Sequence, residues 1–226
     1  MGRLIVIDGL DGSGKGTHSK RVAARLNERG IPAERISFPD YESPASMPVQ
    51  MYLRGDFGGR ANDVNAYAAS VFFAVDRFAA FRMKYKKLYE DGVILVADRY
   101  TTSNIVHQTC KLPRDQWDAF IRWLSDFEYE KMGLPRPDGV IYLDMKPEIS
   151  QQLIARRYEG DLSKKDIHEL DVDYLAQSRA CAMYVGNRLG WRMTPMYDEA
   201  GVPRNKDDNF EIIWKQVREV LYDLEL

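Results

Sequence analysis

Arg3-Leu4-Ile5-Val6-Ile7-Asp8 runs directly into Gly9-Leu10-Asp11-Gly12-Ser13-Gly14-Lys15-Gly16-Thr17, and this junction decides the fold. The first six residues are an apolar run closed by a carboxylate, the pattern of a parallel strand covered on both faces. The next nine are a GxxxxGK loop. Behind it Lys15–Arg29 has helical period, with Val22, Leu26 and neighbouring alanines on one side and Gly30 just past its end. Strand, glycine loop and helix together make a phosphate cradle. The glycines let successive N–H groups turn inward, the helix N-terminus adds partial positive charge, and Lys15 reaches the outer phosphates as a point charge.

The same pattern repeats outward from this junction. Ala33–Phe38, Val93–Asp98, Gly139–Asp144 and the weaker Trp191–Met196 read as further strands. Helical periods occupy Val64–Tyr89, Arg114–Met132, Glu148–Arg157, His168–Leu189 and Asn209–Leu224. Strands separated by helices imply right-handed crossovers, hence an α/β three-layer sandwich of the P-loop NTPase type. The expectation is a five-stranded parallel sheet with helices on both faces, a short lid at about 156–168, and one domain over 1–226. Ligands in such a sheet lie at the carboxyl ends of the strands. Ser43–Asn62, rich in Gly and Pro, and the polar Tyr158–Lys165 read as mobile.

Composition narrows the partners. A net charge of −2 over 226 residues gives no global attraction to nucleic acid or anionic membrane. The two cysteines, Cys110 and Cys181, have neither CxxC spacing nor a matching His cluster, which favours reduced thiols over a disulfide or zinc. Leu4–Ile7 is too short for a signal core, and no run reaches the ~20 apolar residues of a membrane span. A soluble cytoplasmic protein is expected.

Two further segments carry chemistry. Asp98-Arg99-Tyr100 ends an interior strand and faces the loop, supplying a carboxylate for Mg²⁺ and its waters and a guanidinium for phosphate. A buried structural ion pair is the competing reading. Asn205-Lys206-Asp207-Asp208 matches the NKxD guanine-reading motif, so a GTP-binding switch is the alternative from another class. No strand leads directly into it, however, and Asp98 continues Arg-Tyr-Thr where a GTPase would have xxGly. A loop or helix cap suits the motif better. The position after Lys15 is Gly16, so the Mg²⁺ hydroxyl falls to Thr17, an ending that resembles adenylate kinases.

With these segments placed, the chain resembles thymidylate kinases along nearly its whole length. GLDGSGKGT, FPDYESPAS, QMYLRGDFG, FFAVDRF, ADRYTTSN, GLPRPD and KKDIHELD occur in the family's order. The resemblance implies transfer of the γ-phosphate of ATP to dTMP, giving dTDP and ADP with Mg²⁺, in a homodimer on the path to dTTP. Another nucleotide kinase, for dUMP or UMP, or a deoxynucleoside kinase is the nearest alternative.

Phe73 and Arg77, one helical turn apart, can set a ring on a base and a guanidinium at its edge. The resemblance makes Phe73 the thymine-stacking ring and Arg77 the donor to O4, against a core role for Phe73. Asn104 can both donate to and accept from a pyrimidine edge. Ser103 precedes it, and His107 stands where many relatives carry an aromatic residue beside the deoxyribose. Phe38, Pro39 and Tyr41 are expected to begin the loop facing the acceptor phosphate, Leu53 and Phe57 to wall the pocket, and Arg99 to carry more of the phosphate contact. Asp11 is read as the acceptor of the sugar 3′-hydroxyl, while Asp166 and Glu169 resemble acidic residues near the acceptor nucleotide or metal. Some relatives place an arginine where this chain has Gly12. The missing cation is sought in the lid, among Arg156, Arg157, Lys164 and Lys165, with a solvated charge run as the alternative.

Overall fold

The computed structural model describes residues 1–157, 167–168 and 171–224. Its centre is β1 (Leu4–Gly9), where Leu4, Ile5, Val6 and Ile7 are fully buried. β3 (Ile94–Asp98) and β4 (Gly139–Asp144) flank it, with β2 (Ala33–Ser37) and β5 (Arg192–Pro195) at the edges. The order is β2-β3-β1-β4-β5 and every pairing is parallel. All five strands expected from sequence are therefore present, with ends shifted by a residue or so.

Alternation along β1 explains the three layers, because successive side chains leave opposite faces of a strand. Ile5 and Ile7 pack with Val22 and Leu26 of α1 (Lys15–Glu28) and with Phe210, Ile213 and Val217 of α9 (Lys206–Val220). Leu4 and Val6 pack on the other side with Ala80, Phe81 and Tyr100. Register does the rest. Ile7 pairs with Asp98, Gly9 with Leu143 and Ser37 with Asp98, so the motif residues emerge along one edge of the sheet.

The long helix expected from Val64 is α3 (Ala66–Ala80), capped by Asn65, whose side chain accepts from Ala68 N at 2.9 Å. It passes through a π-helical turn at Phe81–Tyr85 into α4 (Lys86–Glu90). α5 (Thr101–Thr109) follows β3 directly. α6 (Trp117–Ser125) likewise continues into a π-helical turn, Asp126–Lys131. α7 (Pro147–Arg157) follows β4, and α8 (Val172–Leu189) is capped by Asp171, leaving His168 in a turn rather than in the helix.

One expectation is corrected. Ser43–Asn62 is not a featureless mobile stretch: it holds a 3₁₀ turn, Pro44–Ser46, and α2 (Met47–Arg54), with Val49 and Tyr52 buried. Its Pro and Gly residues are stops rather than signs of disorder. Pro48 sits in the first turn, where no amide hydrogen is needed, and Gly55 ends the helix at φ 86°, a left-handed position that suits glycine. Tyr158–Lys165 lies outside the described residues.

Close packing of α9 on β4 depends on Gly139, because a Cβ there would lie 2.4 Å from Val220 Cγ2. Gly139→Ala is expected to destabilise the fold by about 1–3 kcal/mol through overpacking. The measurement is the urea midpoint, and an unchanged midpoint would mean that α9 yields freely.

Candidate active site

The loop after β1 is braced from several directions. Lys15 Nζ donates to Leu10 O at 2.8 Å and lies 3.5 Å from Asp11 Oδ1. Burial, then the Arg99 charge, lowers the Lys15 pKa. The Ser150 hydroxyl of α7 donates to the Asp11 carbonyl, tying that helix to the loop. Ser13 Oγ is buried with no hydrogen-bond partner among the described residues, a donor left for an incoming anion.

Arg99 organises the edge of β3. Its φ of 65° is left-handed, which an arginine adopts only under constraint, and its amide donates to Ile7 O at 3.2 Å. The guanidinium donates to the Asp11 carboxylate and, through Nη1, to Ser103 Oγ at 3.1 Å. It also lies 3.9 Å from Asp8 Oδ1. Burial alone would raise the Asp11 pKa, but Arg99 and Lys15 outweigh it and hold the carboxyl well below its usual range. Buried Asp8 accepts from Gly9 N, Thr102 Oγ1 and Ser103 Oγ, linking the phosphate loop to α5. Asp98 is paired with Arg35 of β2 at 2.7 Å and stands beside the start of α1.

Next to this edge opens a cleft of about 570 Å³, including open solvent at its mouth. Its lining brings together the expected Asp11, Phe38, Pro39, Tyr41, Leu53, Phe73, Arg77, Arg99, Ser103, Asn104 and His107. Phe57 does not join them: it is exposed and packs at 5.4 Å on Phe72. Asp166 and Glu169 lie outside the described residues, as do Lys164 and Lys165. Of Arg156 and Arg157 only the helical backbone is described.

Sequence reasoning missed three residues here. Glu128, fully buried in the π-helical turn after α6, takes a bidentate pair of hydrogen bonds from Arg77 Nε and Nη2, each 2.7 Å. Thr101 and Asn104 donate to the same carboxylate at 2.9 and 3.0 Å. Gln108 is fully buried, lines the cleft, and has neither amide atom hydrogen-bonded among the described residues. Its spacing of four from Asn104 was the available signal. His168 also lines the cleft, stacked on His107 at 5.5 Å with its Nε2 2.8 Å from Tyr52 Oη.

The expected role of Asn104 needs correction. Its amide nitrogen donates to both Ser70 O and Glu128 Oε1, each at 3.0 Å, so both hydrogens are committed. Only Oδ1 is left to meet a base, as an acceptor. Asn205 of the NKDD segment caps α9, accepting from Asp207 N and Asp208 N at 2.9 Å. That is the helix-cap reading of this motif.

Comparison with known proteins agrees with this geometry. The thymidylate kinase family model matches residues 7–194. The chain belongs to the thymidylate kinase family. The thymidylate kinase of Mycobacterium tuberculosis is 28% identical over 183 residues, covering 80% of this chain and 83% of that protein. The human enzyme is 28% identical over 145 residues, 64% of this chain and 62% of its own. A solved thymidylate kinase from Candida albicans superposes with a TM-score of 0.70 at 22% identity, covering 96% of this chain and 92% of that one. This last likeness speaks for the fold. The chain is a phosphotransferase of the nucleoside monophosphate kinase class, and its reaction passes the γ-phosphate of ATP to dTMP, giving dTDP and ADP on the way to dTTP. No comparison supports a GTP switch or another nucleotide kinase.

His107 does not titrate near neutral pH. Burial, then the nearby Arg99 charge, pushes its pKa down to about 3. It is therefore neutral in the fold but takes a proton in the unfolded chain near pH 6.5. Between about pH 3 and 6.5 the unfolded state binds more protons at this site, so stability rises with pH there and is fully present above 6.5. The slope from this one group reaches at most about 1.4 kcal/mol per pH unit. His107→Phe is expected to flatten the acid limb of stability, measured as denaturant midpoints from pH 4.5 to 7; parallel limbs would show an ordinary histidine.

Proposed function

We propose that this transfer runs across one site in a single domain, with the phosphate loop on one side and the cleft on the other. The observation that carries the proposal is that Asp11 and Arg99 join the two. Both line the cleft, and Asp11 belongs to the loop itself. Gly9 to Thr17 cradle the ATP phosphates with backbone amides and Ser13 Oγ, and Lys15 leaves Leu10 O to meet them.

The thymine of dTMP lies on Phe73. Arg77 Nη1, which has no hydrogen-bond partner among the described residues, donates to O4. Asn104 Oδ1 accepts from N3–H, and the Gln108 amide completes the polar edge. An acceptor paired with a donor in this order disfavours the amino group of cytosine. Phe38, Pro39 and Leu53 supply apolar walls, and Arg99 with the Tyr41 hydroxyl takes the acceptor phosphate. Asp11 holds its two cations on Oδ1, which leaves Oδ2 for the 3′-hydroxyl. The acceptor is already a phosphate oxygen, so catalysis is positioning and charge stabilisation.

The residues present fit Mg²⁺. The exposed Thr17 hydroxyl and the Asp98 carboxylate are oxygen donors at the loop, suited to an ion that otherwise keeps phosphate and water ligands. When bound, the ion neutralises charge on the phosphates. Arg156 or Arg157 supplies the further cation as the lid over 156–168 closes, since their helix begins against the loop at Ser150.

Tyr67, Val71, Val75 and Phe78 form an exposed stripe on α3, and we assign them to a homodimer interface. Phe72 on the same helix turns inward instead, against Tyr52. Both cysteines are free and buried, and among the described residues no helix is long and apolar enough to cross a membrane. These features support a cytoplasmic protein.

An ADP-release assay across dTMP, dUMP, UMP, dCMP, AMP and thymidine should give the highest kcat/KM with dTMP. In the same assay Phe73→Leu should raise KM for dTMP about tenfold, the loss of a base–aromatic stack, and leave KM for ATP alone. Equal effects on both substrates would remove Phe73 from the base site.

Alanine at the lid position that enters the site should cut kcat about 10³-fold or more, as for an arginine finger. If neither Arg156→Ala nor Arg157→Ala changed kcat, the transition-state charge would be met elsewhere.

A further inference from the structure

Arg35 of β2 reaches across the sheet edge to the start of α1. Nη2 donates to Asp98 Oδ2 at 2.7 Å and Nε to Ser19 Oγ at 3.0 Å. Ser19 in turn donates to Gly16 O at 3.3 Å. Two bonds from adjacent edges of a planar guanidinium fix its orientation, and with it the carboxylate it holds. Register places Arg35 opposite Val96, two residues before the Ser37–Asp98 pair, so the side chain runs forward along the strand to reach its partner.

The same contact explains the unusual residue after Lys15. Gly9, Gly12 and Gly14 have positive φ, but Gly16 does not, so its backbone places no demand for glycine. Space does. A Cβ at position 16 would lie 3.1 Å from Asp98 Oδ2 and 3.7 Å from Arg35 Nη2. The first distance is tighter than ordinary carbon–oxygen contact, and the ion pair occupies the volume that a side chain would need.

We propose that Arg35 is a positioning residue for phosphoryl transfer. It holds Asp98 through Oδ2, leaving Oδ1 for Mg²⁺ and its waters, and Gly16 makes room for the pair at the loop. Arg35 touches neither nucleotide in this scheme; it acts through Asp98. The proposal rests on the reading of Asp98 as the magnesium-side carboxylate, and the test separates the two.

The full-length enzyme is loaded with a non-hydrolysable ATP analogue and titrated with Mn²⁺, free Mn²⁺ being followed by electron paramagnetic resonance. Arg35→Ala is expected to weaken Mn²⁺ binding about tenfold, the lower end for loss of a group that orients a metal ligand. The Mg²⁺ concentration for half-maximal rate should rise in parallel, with KM for dTMP unchanged. Arg35→Lys should recover part of this, since an ammonium cannot keep both bonds. Gly16→Ala should weaken Mn²⁺ binding in the parent enzyme but add little in the Arg35→Ala background, where Asp98 can turn away. Thermal melts check folding, and Arg35→Lys with Gly16→Ala carry the test if Arg35→Ala does not fold. If Asp98→Asn binds Mn²⁺ as the parent does, the metal role of Asp98 falls and the proposal with it. If Asp98→Asn loses the metal while the Arg35 and Gly16 variants bind it normally, Arg35 alone is overturned.

Discussion

The positive charge of Arg99 has to be met inside the fold, and the rest of the site is arranged around that need. The residue is held in a left-handed conformation by the hydrogen bond its amide donates to Ile7 O, so its side chain leaves the strand toward the phosphate loop. There it finds Asp11, with Asp8 3.9 Å away, and burial makes these attractions stronger than they would be in water. Consequences spread outward. Asp11 is held ionised, and His107 is held neutral in part by the same guanidinium. Ser103 is shared between Arg99 and Asp8, which fixes the first turn of α5 against β1.

A second buried charge pair plays a comparable role along the cleft. Arg77 and Glu128 are almost entirely out of solvent, where desolvation consumes much of the attraction between them. Their arrangement is better explained by orientation than by stability. Glu128 uses its two oxygens to align Arg77, Asn104 and Thr101 at once, leaving Arg77 Nη1 as donor and Asn104 Oδ1 as acceptor for the base that we propose the cleft takes. The carboxylate arrives there on a π-helical turn, which shifts the side-chain phase of the helix that α6 begins.

Much of this was legible because it is local. The sheet followed from continuous apolar runs, and the loop from glycines at fixed offsets between a strand and a helix. Asp98 and Arg99 followed from their place at a strand end. What stayed hidden depends on distance or on three-dimensional volume. Glu128 lies 51 residues from Arg77, with no periodic signal to connect them. Arg35 belongs to no sequence motif, and its link to Gly16 exists only once β2 and α1 are side by side. Ser43–Asn62 was misread for a different reason: Pro48 and Gly55 were weighed as composition when their positions made them helix ends.

Charge balance around the loop bears on where catalysis finds its last cation. Lys15, Arg99 and Arg35 stand against Asp8, Asp11 and Asp98, and each of the three cations is already engaged by a carboxylate. The site is thus close to neutral before any nucleotide arrives. ATP and dTMP then bring several negative charges, concentrated where the phosphoryl group moves. Exchange of partners by Lys15 and Arg99 meets part of that charge but leaves Asp11 and Asp8 correspondingly less compensated. Additional positive charge must arrive with the substrates or after them. In the function proposed above, Mg²⁺ brings part of it with ATP, and Arg156 or Arg157 brings the rest. On that proposal a loop with Gly12 in place of a built-in arginine becomes fully charged for transfer only once Arg156 or Arg157 joins it, which would tie the chemistry to the exclusion of water.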